Sequence, residues 1–229
     1  MSRFNPSRRQ AVALAVLAAA AFTAPLAAAT ERWNYEVTIT NLTYNQRFTP
    51  VLMVTHRPDV RLFKVGQPAS PQLTTLAEEG NVMPLRDALQ ANPHVTATAA
   101  GAGLVEPGAT LTLTVAGNPW RDRLSLAAML IPTNDAFVAL NGVPLPLPNQ
   151  TGTHTAIAYD AGTEVNDELC NSIPGPSFAE CGGPGGGARV GGGEGFVHVH
   201  RGMHGIGQFK ANVRDWRNPV AKVTIRLVR

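Results

Sequence analysis

The sequence predicts an all-β domain, an antiparallel β-sandwich with two short helices inserted. Apolar and polar residues alternate over 33–40 and again over 222–227, the period of a strand with one face buried and one in water. Charged residues make up only 15% of the chain, while 22 glycines and 18 prolines punctuate it, which suits strands and turns better than long helices. No long-period repeat is present. Residues 30–229 form one domain, long enough for a sizeable core.

Residues 1–29 read as a cleaved signal segment. Arg3, Arg8 and Arg9 form a basic start, residues 11–22 an apolar run, and Ala27-Ala28-Ala29 a small-residue cleavage site. Thr23 and Pro25 break the apolar run, which is short for a membrane span, so the reading is cleavage rather than anchoring. Ser7-Arg8-Arg9-Gln10 is a partial twin-arginine start, but Ala11 stands where a large apolar residue is usual. General secretion is therefore the favoured route, to the periplasm or beyond. Without Arg3, Arg8 and Arg9 the 19 basic residues fall to 16, equal to the 16 acidic ones. The basic pI belongs largely to the signal and gives no support to nucleic-acid binding.

The domain opens on a strand in which Trp33, Tyr35, Val37 and Ile39 alternate with polar residues. It closes on a matching one carrying Val223, Ile225 and Leu227. Strands at the two ends of a sandwich commonly pair. Residues 48–55 form a mixed apolar run. Glu106-Pro107-Gly108-Ala109 is a turn, followed by 110–116 with Leu111, Leu113 and Val115 on one face. Residues 124–131 are continuously apolar, as in a strand buried on both faces; 153–159 and 196–200 complete the set. Ser70-Pro71 is an N-cap with proline in the first turn, Leu73, Leu76 and Ala77 face inward, and Gly80 ends the helix. Residues 84–90 repeat the design with Leu85, Ala88 and Leu89, and Asn92-Pro93 stops it.

Cys170 and Cys181 are the only cysteines. In an exported chain they read as a disulfide, worth about 3 kcal/mol for a loop of this size; their spacing is not that of a zinc site. The glycine-rich stretch 182–195 lacks the Gly-Lys-Ser/Thr of a phosphate loop and reads as a mobile surface loop. No nucleophile elbow or redox Cys-x-x-Cys is present, so the residues point away from an enzyme.

Several stretches together resemble the spondin N-terminal domain: the opening Tyr35-Glu-Val-Thr-Ile-Thr-Asn-Leu-Thr43, the segment 56–70, and Asp160-Ala-Gly-Thr-Glu164. The resemblance runs through most of residues 33–229. It implies a sandwich of C2-like or jelly-roll-like architecture, found in matrix adhesion proteins and in secreted bacterial ones. The animal members are binding modules with a calcium site on loop carboxylates, not enzymes. Glu164 departs from their usual aspartate, and the segment 196–205 resembles the bacterial branch instead.

Two sets of ligands follow. Asp135 ends a buried strand, and Asp160 and Glu164 flank Gly162 in a loop. Hard cations take several oxygens from such loops, and carboxylates bring compensating charge. The residues alone favour turn capping by the two aspartates; the resemblance brings calcium on Asp135, Asp160 and Glu164 level with it. Asn166, Asp167 and Glu168 offer further oxygens. The second set is His198, His200 and His204. His198 and His200 share one face of a strand, and a turn at Gly202 brings His204 back. Three imidazoles suit copper or zinc, although hydrogen bonds to Glu194 and Asp215 explain the same pattern. The leading functional reading is an exported, non-enzymatic binding domain for an extracellular protein or glycan, and the rival is a small periplasmic copper or zinc protein.

Overall fold

The computed structural model describes Met1, residues 33–188 and residues 191–228. Apart from Met1, the signal segment expected over 1–29 lies outside these residues. Of two compact units, Met1–Thr30 and Glu31–Arg229, the second carries the fold. Its elements in order are β1 (Trp33–Asn41), β2 (Arg47–Phe48), β3 (Leu52–His56), α1 (Pro71–Glu79), α2 (Met83–Gln90), β4 (Val95–Ala100), β5 (Thr110–Gly117), β6 (Arg123–Ile131), β7 (Ala136–Pro144) and β8 (Thr151–Asp160). After these come β9 (Ser177–Phe178), β10 (Gly183–Pro184), β11 (His198–Val199), α3 (Ala211–Arg214) and β12 (Ala221–Val228).

The main sheet runs β4-β3-β6-β7-β8-β12-β1-β5, with β11 added to β8 and β2 to β6. Its pairings are antiparallel. The two terminal strands lie side by side in register from Asn34↔Val228 to Asn41↔Ala221. The sheet curls until its ends meet: Thr55 on β3 donates to the Ala116 carbonyl on β5 at 2.6 Å. The result is a sandwich close to a closed barrel, which leaves little free strand edge.

Two apolar layers hold it. Inside the curl, Tyr35, Val37 and Ile39 of β1 pack with Leu126 of β6 and with Val223 and Ile225 of β12. Outside it, Leu73, Leu76, Leu85 and Leu89 of the helices cover Leu52, Val54, Ala127 and Phe137 of β3, β6 and β7. This cover explains the unbroken apolar run of β6, which has no wet face. Ser70 Oγ accepts the Leu73 N–H at 3.2 Å, and Gly80 closes α1 at φ 67°. In α2 only Leu85 and Leu89 turn inward; Ala88 is exposed.

Three expectations change. The run 48–55 splits into β2 and β3 around Pro50, which has no N–H to give a ladder. Of 196–200 only β11 pairs with β8, because the Val197 N–H turns away to the Gln67 carbonyl at 2.8 Å. Strands β4 and β7 join the set; β7 is buried on both faces over its first half and shows no alternation. Cys170 and Cys181 are bonded, with Cα atoms 5.6 Å apart.

Two substitutions test this layering. Leu126→Ala, at a fully buried site, should cost about 2–5 kcal/mol, and Ser70→Ala about 1 kcal/mol through the lost cap. Urea unfolding reads both, and equal costs would contradict the assignment of Ser70 to a helix end and Leu126 to the core.

Candidate functional site

The ends of β7 and β8 bring the first acids together. Ala136 stands opposite Asp160 in the ladder, and the Ala161 N–H donates to the Asp135 carbonyl at 3.2 Å. The turn before β7 is set by Thr133, whose Oγ1 accepts the Ala136 N–H at 3.2 Å. Asp135, Asp160 and Glu164 are all buried. Asp135 Oδ2 accepts the N–H groups of Thr163 and Glu164, at 2.7 and 3.1 Å, and the Thr163 hydroxyl. Its Oδ1 is buried with no hydrogen-bond partner among the described residues. Asp160 Oδ1 accepts the Gly162 N–H at 2.7 Å, and Oδ2 accepts the Asn166 amide at 2.8 Å. Both aspartates thus shape the 160–164 loop, Asp160 its own turn and Asp135 the neighbouring one.

The histidine segment folds onto the same point. Two imidazoles approach Asp160: His198 Nε2 lies 3.7 Å from Oδ1, and His200 Nε2 lies 3.6 Å from Oδ2. His198 Nε2 is also 3.4 Å from Glu194 Oε2. His204 stays outside: it is exposed, and its backbone N–H is held by Glu168 Oε1 at 2.5 Å. Glu168 also accepts the Ile206 N–H, and Asp215 accepts that of Met203. The turn that was to bring His204 back is therefore fixed by two carboxylates in another direction. Glu168 spends its oxygens there, and Asp167 accepts from Asn134 and Ser172. Among the described residues the set whose ligand atoms all lie within 4.8 Å of one another is Asp160, Glu194 and His198. It takes one member from each expected set and adds Glu194, which the sequence offers as a hydrogen-bond partner of the histidines and not as a ligand.

The glycine-rich stretch holds this arrangement instead of hanging free in its described part. Glu164 bridges to Gly192, and the Gly195 N–H donates to the Gly162 carbonyl at 2.8 Å. A Cβ on Gly193 would fall 2.5 Å from Gly162 O, and one on Gly162 would fall 2.3 Å from Phe196 O. Bare backbone is required on both sides of that contact.

Burial and mutual charge tune the acids. Burial, then the charge of Asp160, pushes the Asp135 carboxyl up to about 7. Burial raises Asp160 too, against the pull of its Asn166 and Gly162 hydrogen bonds. Burial, with His198 and His204 nearby, drives His200 down to about 4, so it is neutral at pH 7. At His198 burial acts downward but is outweighed by the Val199 carbonyl, Asp160 and Glu194, which hold it above the usual imidazole value.

Among known families, the one described as Spondin_N matches residues 30–168, more than half of the chain. The match includes Asp135, Asp160 and Glu164 and ends before Glu194, His198, His200 and His204. No curated protein matches the chain.

Two outcomes follow from this packing. Gly162→Ala should cost more than about 1 kcal/mol and more than Gly66→Ala, which has similar positive φ but open space around it; equal losses in urea unfolding would refute the close approach. The second concerns pH in EDTA. Asp135 holds its proton more tightly in the folded chain, so its contribution to stability falls as pH rises from about 4 to about 7. His200 works the other way, its contribution present above about 6.5 and lost as pH falls toward about 4. Asp135→Asn removes only the first, so the stability of the variant relative to wild type should grow between about pH 5 and about pH 7.5. Parallel profiles would contradict a buried, titrating Asp135.

Proposed function

The chain belongs to the spondin N-terminal family, and on that premise we propose that it is an exported, non-enzymatic binding domain whose Asp160 loops are ordered by calcium. The family and the disulfide fit an extracellular or secreted protein, and among the described residues no helix is long and apolar enough to cross a membrane. Residues 1–29 serve this reading as the cleaved export signal.

The observation that carries the cation is the Asp135–Asp160 pair. Burial raises the proton affinity of both carboxylates at these adjoining strand ends, and the charge of Asp160 raises that of Asp135 further; Asp135 Oδ1 lacks a hydrogen-bond partner among the described residues. A hard divalent ion offsets both charges and gives that oxygen a partner. Asp135, Asp160 and Glu164 are the residues that hold it. Loops carry recognition in sandwiches, and here the loops expose Val165 and Phe196 and the adjoining β11 exposes Val199, each 42–46% accessible. Apolar side chains on loops stiffened by an ion suit contact with an extracellular protein, or with the apolar face of a glycan.

Thermal melts of the purified mature chain test the cation. With free calcium about a hundredfold above Kd, stabilisation is about 2.7 kcal/mol, or a Tm rise of about 5–10 °C for a domain of this size. EDTA should reverse the rise and Asp135→Asn should abolish it. A wild-type melt unmoved by calcium sinks the calcium reading.

A further inference from the structure

Glu194 and His198 lie beyond the carboxylates assigned to calcium, yet they converge on Asp160 with a geometry that turn-making does not explain. We propose that Asp160, Glu194 and His198 form a zinc-type site that clasps the glycine-rich segment to the end of β8, with His200 as a positioning residue. The inference rests on the reading that the Asp160 loops take a cation, and it assigns a second ligand set to them.

The hydrogen bonds fix which nitrogen is free. His198 Nδ1 lies 3.1 Å from the Val199 carbonyl, an acceptor, so Nδ1 carries the proton. Neutral His198 then turns the lone pair of Nε2 toward Glu194 Oε2 at 3.4 Å and Asp160 Oδ1 at 3.7 Å. Three electron-rich atoms face one another, and Nε2 is buried with no hydrogen-bond partner among the described residues. A positive charge between them resolves the repulsion. A metal-bound imidazole commonly gives its other N–H to a backbone carbonyl, as His198 does.

The spacing selects the ion. Zinc binds nitrogen and oxygen at about 2.0–2.2 Å in a tetrahedron, which separates neighbouring ligand atoms by about 3.3–3.6 Å. The two contacts of Nε2 are already near that edge length. Calcium sits about 2.3–2.6 Å from its ligands and takes oxygens, so an imidazole and a tight triad favour zinc over it.

His200 has the opposite tautomer. Its Nδ1 accepts the Gly202 N–H at 3.0 Å, which leaves the proton on Nε2, 3.3 Å from Asn166 Oδ1 and 3.6 Å from Asp160 Oδ2. A nitrogen that bears a proton does not ligate; His200 orients Asp160 instead. The loop completes the site because Gly193 and Gly195 press its backbone onto Gly162, and Glu194 stands between them.

Isothermal titration of the metal-free mature chain with zinc, paired with melts in zinc and in calcium, tests the assignment. Wild type should bind one zinc and melt higher. Glu194→Gln, an isosteric change at an exposed residue, and His198→Gln should each weaken zinc at least tenfold while leaving the calcium response intact. His200→Gln should keep the stoichiometry and weaken zinc by about 10–100-fold. Asp135→Asn should keep zinc and lose calcium. Absence of stoichiometric zinc overturns the site and leaves a proton on His198 as the balancing charge; if calcium still raises Tm, the binding-domain reading survives alone. Zinc affinity unchanged in both Glu194→Gln and His198→Gln also overturns it. Zinc lost in those variants, with no calcium response in wild type, supports the zinc site and sinks the calcium reading.

Discussion

Burying the Asp160 carboxylate at the end of a central strand obliges the surrounding loops to supply what water would have supplied. An ionised carboxylate out of water is costly unless donors and opposite charge meet it. Each neighbouring segment contributes. Gly162 gives a backbone N–H, Asn166 an amide, and the histidine segment two imidazoles. Asp135 makes the demand greater, since its charge sits beside the first at the adjoining strand end. The loops at this end are thus organised around negative charge, and their order depends on how that charge is balanced.

The same constraint accounts for the unusual composition of the second half. A segment that must bring a carboxylate and two imidazoles to a buried point has to run its backbone against the loop it serves. Gly162 and Gly193 make that contact backbone to backbone, where a single Cβ would collide, and Gly195 adds a backbone hydrogen bond to Gly162. Glycine here serves close approach rather than freedom of motion, and for that reason a loop so rich in it is pinned in its described part at 192, 193 and 195. The Cys170–Cys181 bond ties down the chain leading into it.

Much of the frame was legible because it rests on local rules. Alternation marks β1 and β12, each with one face in the core, and an N-cap with proline and a left-handed glycine marks α1. The match to Spondin_N was legible in Asp160-Ala-Gly-Thr-Glu164. Strand β7 was not, since helices cover one face and the inner core the other, which erases the pattern a strand shows to a reader. At the site, residue type pointed to Asp135, Asp160, Glu164, His198 and His200, but partnership was hidden. That His204 turns out is decided by Glu168 and Asp215, which grip the 203–206 turn, and that Glu194 turns in follows from the contact of Gly193 and Gly195 with Gly162. No spacing rule encodes contacts of that range.

Asp160 also makes the two metal readings dependent on one another. It stands in the oxygen set with Asp135 and Glu164 and in the mixed set with Glu194 and His198. Its Oδ1 faces His198, while its Oδ2 is held by Asn166 and approached by His200. An ion in either set neutralises the same carboxylate and so reduces the attraction left for an ion in the other. Each set still has something the other lacks: Asp135 Oδ1 is an oxygen only the first uses, and His198 Nε2 is a nitrogen only the second uses. On the two proposals, hard and borderline cations would be sorted by the partners of Asp160 and not by Asp160 itself. Glu194 depends on the glycine-rich segment for its place, whereas Asp135 is fixed by the sheet. Asp135 and Asp160 accordingly belong to the strand ends, while Glu194 and His198 belong to the segment docked on them and Glu164 stands where the two meet, bridged to Gly192.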